Sequence, residues 1–486
     1  MQYKINGYQP EKLFHFFEDI SAIPRGSGNE KAVSDYIVKF AADRGLRAVQ
    51  DEAYNVIVYK DGSKGAEDKP PVILQGHIDM VDEKVAGSDH DFEKDGIDIQ
   101  VKDGWATANG TTLGADDGSG AALILYLLDD DTQAHPPIEA VFTTGEEIGF
   151  VGASQLDFSL LKARRMINID SEDEGIATVS CAGGMEFHFT RKFERITRSG
   201  YGVSVRISGL SGGHSGTDID LGRTNAIKLA GRAMNSLPDG GLVADFNGGT
   251  KDNAIPREAS FTVLYPTEEE AEKASAVLQE QSTVYDAEIL PIEPGFLFQT
   301  SIAKMEEAEV LPENVGRDLL YAVRLSPNGV QHRDPEMDNA IDTSLNLGVV
   351  RVGEDSIRFT FAPRSSVDSL QEDTVSRLQL CAEAFHFNWD ISGRYPGWEK
   401  KEDSVLRETF EESYNDLFQE ELQIEGIHAG LECGLFAQNL EGLDAISVGP
   451  TLRGVHTPDE AFDLVSCEKV CRLISEVLAR LSNEQN

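Results

Sequence analysis

The sequence lacks long apolar segments. No apolar run in its 486 residues approaches the roughly 20 residues that a transmembrane helix needs. The start of the chain, Met1-Gln2-Tyr3-Lys4, also lacks the apolar core of a secretory signal peptide. We therefore expect no membrane partner, and we expect the protein to be cytoplasmic.

Cysteine is scarce, with five scattered residues. Their odd number and the lack of C-x-x-C pairs argue against a disulfide framework and against zinc fingers. Cys467 and Cys471 lie one helical turn apart, where we expect them to pack as small apolar side chains. This cysteine usage fits a reducing compartment.

Basic residues are few. The chain has 43 Lys and Arg against 84 Asp and Glu, for a formal net charge of −41. A surface this negative repels phosphate, which argues against nucleic acids and anionic membranes as partners. The charge fits either a saline environment or a demand for solubility. Most of the carboxylates are expected to be solvated, although carboxylates also supply oxygen ligands to divalent cations.

The length predicts more than one domain. Residues 1–183 and 395–486 alternate short apolar strands with helices, whereas residues 184–394 carry long alternating strands with amphipathic helices between them. This pattern predicts the α/β class, with a phosphorylase/hydrolase-like three-layer αβα catalytic domain interrupted by an inserted α+β lid domain. Strand, helix, strand, helix recurs within 184–394, which predicts a doubled ferredoxin-like unit there.

A buried strand predicted at 72–74 leads directly into His77 and Asp79. Open α/β sheets bind ligands beyond the carboxyl ends of their strands. Residues two apart face the same way in extended backbone, so Asp79 can hold the second ring nitrogen of a metal-binding His77. The same two residues are also consistent with a packed histidine beside a turn aspartate. This segment alone does not distinguish a metal ligand from a packed histidine.

Further polar segments follow, most of them at predicted strand ends. They supply Asp116 and Asp117 before an apolar helix, the adjacent Glu146 and Glu147, then Asp170 and finally His456. Individually, these side chains fit helix caps or solvated surface. Together they predict one mixed histidine and carboxylate site at a sheet edge, of the kind that suits two zinc, manganese or cobalt ions.

The order of these motifs carries a family resemblance. The motifs are His77-x-Asp79, Gly114-Ala115-Asp116-Asp117-Gly118, Thr144-x-Glu146-Glu147-x-Gly149, Asp170, Gly212-Gly213-His214-Ser215-Gly216 and His456-Thr457-Pro458-x-Glu460. This order resembles the co-catalytic di-zinc exopeptidases, which include glutamate carboxypeptidase, peptidase T and aminoacylase. Segments 210–216, 252–257 and 430–434 resemble in particular the aminoacyl-histidine dipeptidase branch, also called cytosol non-specific dipeptidases. The resemblance spans nearly the whole chain.

The resemblance implies two divalent metal ions, zinc first, with manganese or cobalt as alternatives. His77, Asp116 and Asp170 are implied as ligands of one ion. Asp116, Glu147 and His456 are implied as ligands of the other, so that Asp116 bridges the two.

The resemblance also implies the catalytic roles. Asp79 is implied to orient His77, and the peptide between Asp116 and Asp117 is implied to be cis. Glu146 is implied as the general base for a metal-bridging hydroxide that attacks the scissile carbonyl, with the proton passing to the leaving amine.

Further roles are implied for the inserted lid and the segment near its end. His214 is implied to stabilise the tetrahedral oxyanion, either in its own chain or in the partner of a homodimer, which family analogy favours. Asn253 and Arg364 are implied to bind the C-terminal carboxylate of the substrate, and a planar guanidinium suits that task. Gly430 is implied to bring backbone close to the substrate, whereas His428 receives no role.

The sequence thus predicts a hydrolase, a dinuclear zinc metallopeptidase that cleaves unblocked dipeptides, among them Xaa-His and β-alanyl-histidine. An N-acyl amino acid amidohydrolase is one alternative, which a requirement for a free α-amino group would separate. A non-catalytic paralogue that binds metal or peptide is the other. The presence of Glu146, which binds no metal in the family pattern, argues against this second alternative.

Overall fold

The chain folds into two compact units in this computed structural model, which describes residues 3–335, 337 and 340–484. The first unit comprises the residues up to Ser180, Trp398–Gly426 and the residues from Leu431 onward. The second unit comprises Cys181–Gly397 and Ile427–Gly430. The predicted α/β class is confirmed, and the domain boundaries at 183/184 and 394/395 stay predictions.

The described residues form ten α-helices and 21 strands. Up to residue 181 the elements are α1 (Glu11–Ser21), α2 (Lys31–Asp43), β1 (Arg47–Gln50), β2 (Val56–Lys60), β3 (Val72–His77), β4 (Ile99–Lys102), β5 (Trp105–Ala108), α3 (Ala115–Asp129), β6 (Ile138–Thr143), β7 (Arg165–Asn168) and β8 (Ile176–Cys181). From 183 to 395 they are β9 (Gly183–Lys192), β10 (Ile196–Ser208), α4 (Ala226–Asn235), β11 (Leu242–Gly248), β12 (Ala259–Tyr265), α5 (Glu268–Ile289), β13 (Leu297–Val310), α6 (Glu313–Leu325), β14 (Gly329–Asp334), β15 (Ala340–Val352), β16 (Ser356–Ser365), α7 (Asp368–Ala384) and β17 (Asn388–Tyr395). The final elements are α8 (Val405–Phe418), β18 (Gln423–Ile427), α9 (Cys433–Asn439), β19 (Asp444–Ser447), β20 (Leu452–Arg453), β21 (Ala461–Asp463) and α10 (Leu464–Asn483).

The first unit is built on an eight-stranded sheet with the order β1-β2-β6-β3-β7-β19-β8-β18. Its central strands β6, β3, β7 and β19 are parallel. Every residue of β3 and β6 is buried, which explains why these segments are nearly continuous apolar runs. Since parallel strands share a direction, β3, β6 and β7 end at the same edge of the sheet.

A separate four-stranded sheet, with the order β20-β21-β5-β4, also belongs to the first unit. It contains a hairpin whose strands β4 and β5 are antiparallel. The loop between β20 and β21 carries His456, which has a positive φ of 63°. This short sheet therefore anchors the late histidine-bearing segment at both ends.

Helix α3 is buried on nearly all sides and packs against β3. Its regular part begins at Gly118, as the sequence predicts, because Asp116 and Asp117 before it have non-helical backbone angles. The peptide between these two aspartates is cis, as the resemblance implies.

The described part of the second unit is a nine-stranded antiparallel sheet with four helices. Eight strands follow the order β13-β10-β12-β11-β15-β16-β9-β17, and β14 pairs with β15. Its core is rich in phenylalanine from alternating strand positions, including Phe187, Phe189, Phe359 and Phe361. One sheet thus contains all the described strands of this unit, and the predicted duplication within it stays a prediction. Among the described residues of either unit, no helix has both the length and the hydropathy needed to cross a membrane.

Candidate active site

The first group of polar side chains of the site lies at or just after the ends of three strands. His77 is the last residue of β3, and it lies beside Thr143, the last residue of β6, in the parallel ladder. After Thr143 the chain turns through Gly145, which has a φ of 57°, and presents Glu146 and Glu147. Strand β7 ends at Asn168, two residues before Asp170. The same edge of the sheet therefore carries a histidine and three carboxylates.

Asp116 lies between two imidazoles. Its Oδ1 is 3.1 Å from Nε2 of His77, and its Oδ2 is 3.2 Å from Nε2 of His456. The carboxylate of Asp170 also approaches His77 Nε2, at 3.6 Å, and that of Glu147 approaches His456 Nε2, at 2.9 Å. The two oxygens of one aspartate thus face two different sets of ligand-type atoms.

These atoms form groups of the size that a metal ion requires. His77, Asp116 and Asp170 offer ligand atoms within 4.8 Å of one another, and so do Asp116, Glu147 and His456. The two groups are the ligand sets that the resemblance implied, with Asp116 common to both. A third group, His77 with Glu146 and Glu147, overlaps them. Imidazole nitrogens mixed with carboxylate oxygens suit zinc, manganese and cobalt, so the residues fit a dinuclear site.

The pKa shifts of the clustered side chains also favour the binding of cations. Burial raises the pKa of Asp170 to about 8. Burial opposes ionisation of Asp116 as well, but hydrogen bonds with His456 and His77 hold its pKa well below the usual range. Hydrogen bonds with Asp116 and Glu147 raise the pKa of His456 to about 11. Positive charge is therefore what stabilises these buried carboxylates, and divalent cations supply it.

Asp79 organises two neighbours at once. Its side chain is fully buried, and Oδ1 lies 3.3 Å from Nδ1 of His77. The same carboxylate accepts the hydroxyl of Ser27 at 2.8 Å and the backbone N–H of Glu146 at 3.1 Å. It therefore orients the imidazole and fixes the start of the glutamate turn.

Glu146 is a further buried acid at this edge of the sheet. Burial raises its pKa well above the usual value, and the charges of Asp170, Glu432 and Glu147 act in the same direction, whereas His77 opposes them. A raised pKa makes a carboxylate a stronger base, which favours the role of general base.

The remaining predicted residues lie in the second unit. Arg364 is 9% exposed and donates through Nη1 to the hydroxyl of Tyr395 at 2.8 Å. Nδ1 of His214 accepts backbone N–H groups from Gly216 and Thr217, at 3.3 and 3.2 Å. Burial and then the nearby Arg364 lower the pKa of His214, so its imidazole is neutral with the proton on Nε2.

Asn253 and Gly430 belong to the same unit. The backbone carbonyl of Asn253 accepts the N–H of Ser215, directly after His214, at 2.9 Å. Gly430 closes the segment 427–430, which packs with this unit although the chain on either side of it belongs to the first. His214, Asn253, Arg364 and Gly430 are therefore all parts of the second unit.

His428, to which the sequence assigned no role, is a buried member of this group. Its Nε2 lies 2.7 Å from Oγ of Ser344, a residue that pairs with Arg364 across β15 and β16. Burial, with the charge of Arg364 acting the same way, lowers the pKa of His428 to about 3. A neutral imidazole is therefore built into the second unit beside the predicted carboxylate-binding arginine.

Comparison with known proteins identifies the family. Residues 73–480 match the profile of peptidase family M20/M25/M40. This chain belongs to that family.

Two relatives match almost the full length of this M20-family chain. The cytosol non-specific dipeptidase of Escherichia coli (strain K12) is 33% identical over 483 residues, which cover 98% of this chain and 99% of the relative. The crystal structure of aminoacylhistidine dipeptidase from Vibrio alginolyticus superposes with a TM-score of 0.88 at 35% identity, covering 98% of both chains.

More distant structures share the fold of the family. The crystal structure of an aminopeptidase from Bacillus cereus has a TM-score of 0.56 at 16% identity, covering 98% of this chain and 99% of the other. At that identity, the likeness concerns the fold alone.

Sequence reasoning missed a buried polar network beneath the cluster. Glu432 accepts hydrogen bonds from Gln75 Nε2 and Thr143 Oγ1, both at 2.6 Å, and Asn168 donates to Gln75 Oε1 at 2.6 Å. All four residues are completely buried, and burial raises the pKa of Glu432 to about 7. The sequence signal for this network was a polar residue inside an apolar strand, because Gln75 and Asn168 each precede a metal-ligand candidate by two positions.

Proposed function

We propose that this protein is a metal-dependent dipeptidase that hydrolyses unblocked dipeptides, among them Xaa-His and β-alanyl-histidine. The observation that carries the proposal is Asp116, whose two oxygens lie 3.1 and 3.2 Å from the imidazoles of His77 and His456. A carboxylate in this position can bridge two ions. The dipeptidase names of the two full-length relatives give the substrate class.

The ions are proposed to be zinc, with manganese and cobalt as alternatives. His77, Asp116 and Asp170 would hold one ion, and Asp116, Glu147 and His456 would hold the other, in agreement with the two groups of neighbouring ligand atoms. Two such ions, when bound, polarise the scissile carbonyl and make water a stronger nucleophile.

Glu146 is the proposed general base. Its buried carboxylate takes a proton from the attacking water and delivers it to the departing amine nitrogen. Asp79 supports this step because it holds both the ring of His77 and the backbone N–H of Glu146. The base and a metal ligand thus share one buried anchor.

Residues of the second unit are proposed to bind the substrate. The guanidinium of Arg364, with Asn253 and the backbone at Gly430, would bind the C-terminal carboxylate. His214 would donate its Nε2 proton to the developing oxyanion, which its neutral state and its bonded Nδ1 allow. We further propose a homodimer and a cytoplasmic location. The lack of disulfides among the five cysteines and the name of the E. coli relative support that location.

A panel of substrates tests this function. Purified protein would be assayed with Ala-His, β-Ala-His, Leu-Gly, a tripeptide and an N-acetyl amino acid, before and after chelation, and after zinc, manganese or cobalt is restored. We expect cleavage of the free dipeptides only, lost on chelation and recovered with metal. Cleavage of only the N-acetyl compound would instead make the protein an N-acyl amino acid amidohydrolase.

The variant Glu146→Ala tests the mechanism separately. It removes the base but none of the proposed metal ligands, so we expect two bound ions and a turnover number reduced about 10²- to 10⁴-fold. The metal content would be measured by elemental analysis of the same sample that is assayed. Unchanged turnover would rule out Glu146 as the base.

A further inference from the structure

A buried glutamate is surrounded by the segment that carries Asp116. The carboxylate of Glu460 is 2% exposed and accepts the backbone N–H groups of Leu113, Gly114 and Ala115 at 2.7, 2.9 and 2.7 Å. The N–H of Asp116 lies 3.4 Å from the same carboxylate. Successive N–H groups that converge on one anion form a backbone nest. The position of the Asp116 backbone is therefore tied to a side chain 344 positions later.

A buried arginine holds the same segment from its carbonyl side. Arg25 is 1% exposed and donates to the carbonyl oxygen of Gly114. It also donates to the carbonyls of Ile78 and Asp79, at 3.1 and 2.8 Å. One guanidinium thus joins the chain that follows His77 to the chain that precedes Asp116.

Two glycines leave room for the guanidinium of Arg25. A Cβ at Gly114 would come within 2.6 Å of Nη2 of Arg25, and a Cβ at Gly118 within 2.5 Å. Gly114 also has a φ of 70°, which residues with a side chain rarely adopt. Both the backbone shape and the absence of side chains therefore favour close approach of the guanidinium.

Glu460 further connects two ligand-bearing segments. It follows His456 by four residues, and the turn between them is held by N–H bonds from Thr457 to Gly454 and from Glu460 to Thr457, both at 3.1 Å. A displacement of Glu460 would therefore move His456 relative to Asp116. A displacement of Arg25 would likewise change the distance between His77 and Asp116.

From these contacts we propose that Arg25 and Glu460 are positioning residues, which together set the separation of His77, Asp116 and His456 and so determine the affinity for both metal ions. The inference rests on the proposed dinuclear site. Neither residue is among the ligand groups, and both act through the backbone of the Leu113–Asp116 segment. Partners that orient metal ligands in this way typically change metal affinity or activity 10- to 100-fold when they are substituted.

Metal binding tests the proposal directly. The variants Glu460→Gln and Arg25→Lys keep the size or the charge of the side chain but cannot reproduce all of its backbone bonds, because an amide has one accepting oxygen and an ammonium group cannot donate from the two positions Nη1 and Nη2. We expect zinc affinity, measured on chelated protein by competition with a chromophoric chelator, to fall about 10- to 100-fold for both ions, since both share Asp116. We also expect excess metal to restore much of the lost turnover.

Glu139→Gln is the matched control. Glu139 is also buried, at 5% exposure, and its carboxylate accepts the backbone N–H groups of Lys162 and Ala163 at 3.0 Å. It lies near the start of β6, away from the edge that carries the ligands. Its substitution should lower the melting temperature and leave zinc affinity within about twofold of the wild type, because its carboxylate bonds lie near the starts of β6 and β7, whereas the ligands follow the ends of these strands.

The outcomes separate this inference from the proposed function. If the wild type binds two ions and both variants bind them equally tightly, the positioning roles are refuted, whatever happens to thermal stability. If Glu460→Gln does not fold, Arg25→Lys alone decides in the same way. A wild type that binds no divalent ion would instead refute the proposed function.

Discussion

Acidification should weaken the second unit because His428 is buried there as a neutral imidazole. The residue is 7% exposed, and its pKa of about 3 lies far below the usual value of 6.5. In the unfolded chain the imidazole takes up a proton as the pH falls below 6.5, whereas in the folded chain it stays neutral down to about pH 3. The stability that depends on neutral His428 is thus complete above pH 6.5 and is lost progressively below it.

The size of this effect follows from the difference between the two pKa values. Each pH unit between them costs about 1.4 kcal/mol of unfolding free energy. At pH 4.5, two units below the usual pKa, the loss is about 2.7 kcal/mol. Arg364 lies close enough for its charge to contribute to this shift, although burial is its main cause.

The variant His428→Gln isolates the effect, because an amide can still bond Ser344 but does not titrate. Urea unfolding of chelated wild type and variant would be followed by circular dichroism at pH 7.5 and pH 4.5. We expect the variant to gain about 2.7 kcal/mol relative to the wild type on acidification. Other titrating groups are common to both proteins and cancel in this comparison.

His386→Gln is the control: the side chain of His386 is 72% exposed and its Nδ1 lies 3.0 Å from Asp318, so its loss should bring no gain in stability on acidification. The reasoning would be refuted if wild type and His428→Gln lost the same stability between the two pH values. It would also be refuted if His386→Gln gained as much as His428→Gln.

Three further substitutions have defined expected outcomes. Arg364→Lys loses the planar pair of donors and the bond to Tyr395, so steady-state kinetics should show KM for a dipeptide raised about 10- to 100-fold with kcat little changed. Asp79→Asn replaces a carboxylate oxygen by an N–H donor that faces other donors, and we expect kcat to fall about 10- to 100-fold while elemental analysis still finds two ions. Phe142→Ala leaves a cavity in the completely buried strand β6, and urea unfolding should show a loss of about 3–5 kcal/mol.

Each of these expectations has a contrary result. A kcat effect without a KM effect in Arg364→Lys would place the guanidinium at the reacting carbonyl rather than at the substrate carboxylate. Loss of metal in Asp79→Asn would mean that Asp79 is needed for binding and not only for orientation. A small cost for Phe142→Ala would show that the sheet collapses into the space.

Local patterns predicted the elements that bear the candidate site. The apolar run that forms β3 ends at a glycine and a histidine, and α3 begins its regular part at Gly118 as its composition indicates. In the second unit, by contrast, the prediction placed amphipathic helices between long strands without giving the position of α6. Helix α6 is amphipathic, and its apolar face packs against α4 and β11, contacts that no local pattern specifies.

Local sequence patterns were enough to predict which residue types lie at strand ends, because short apolar runs and turn residues are local features. They predicted the class of the fold for the same reason, and motif order indicated the family. The packing of distant segments, in contrast, sets the two oxygens of Asp116 toward His77 and His456 and brings Arg25 and Glu460 to the segment that carries Asp116. These contacts join residues up to 347 positions apart. No local pattern specifies such distances, since they depend on how the strands and loops of the first unit pack together.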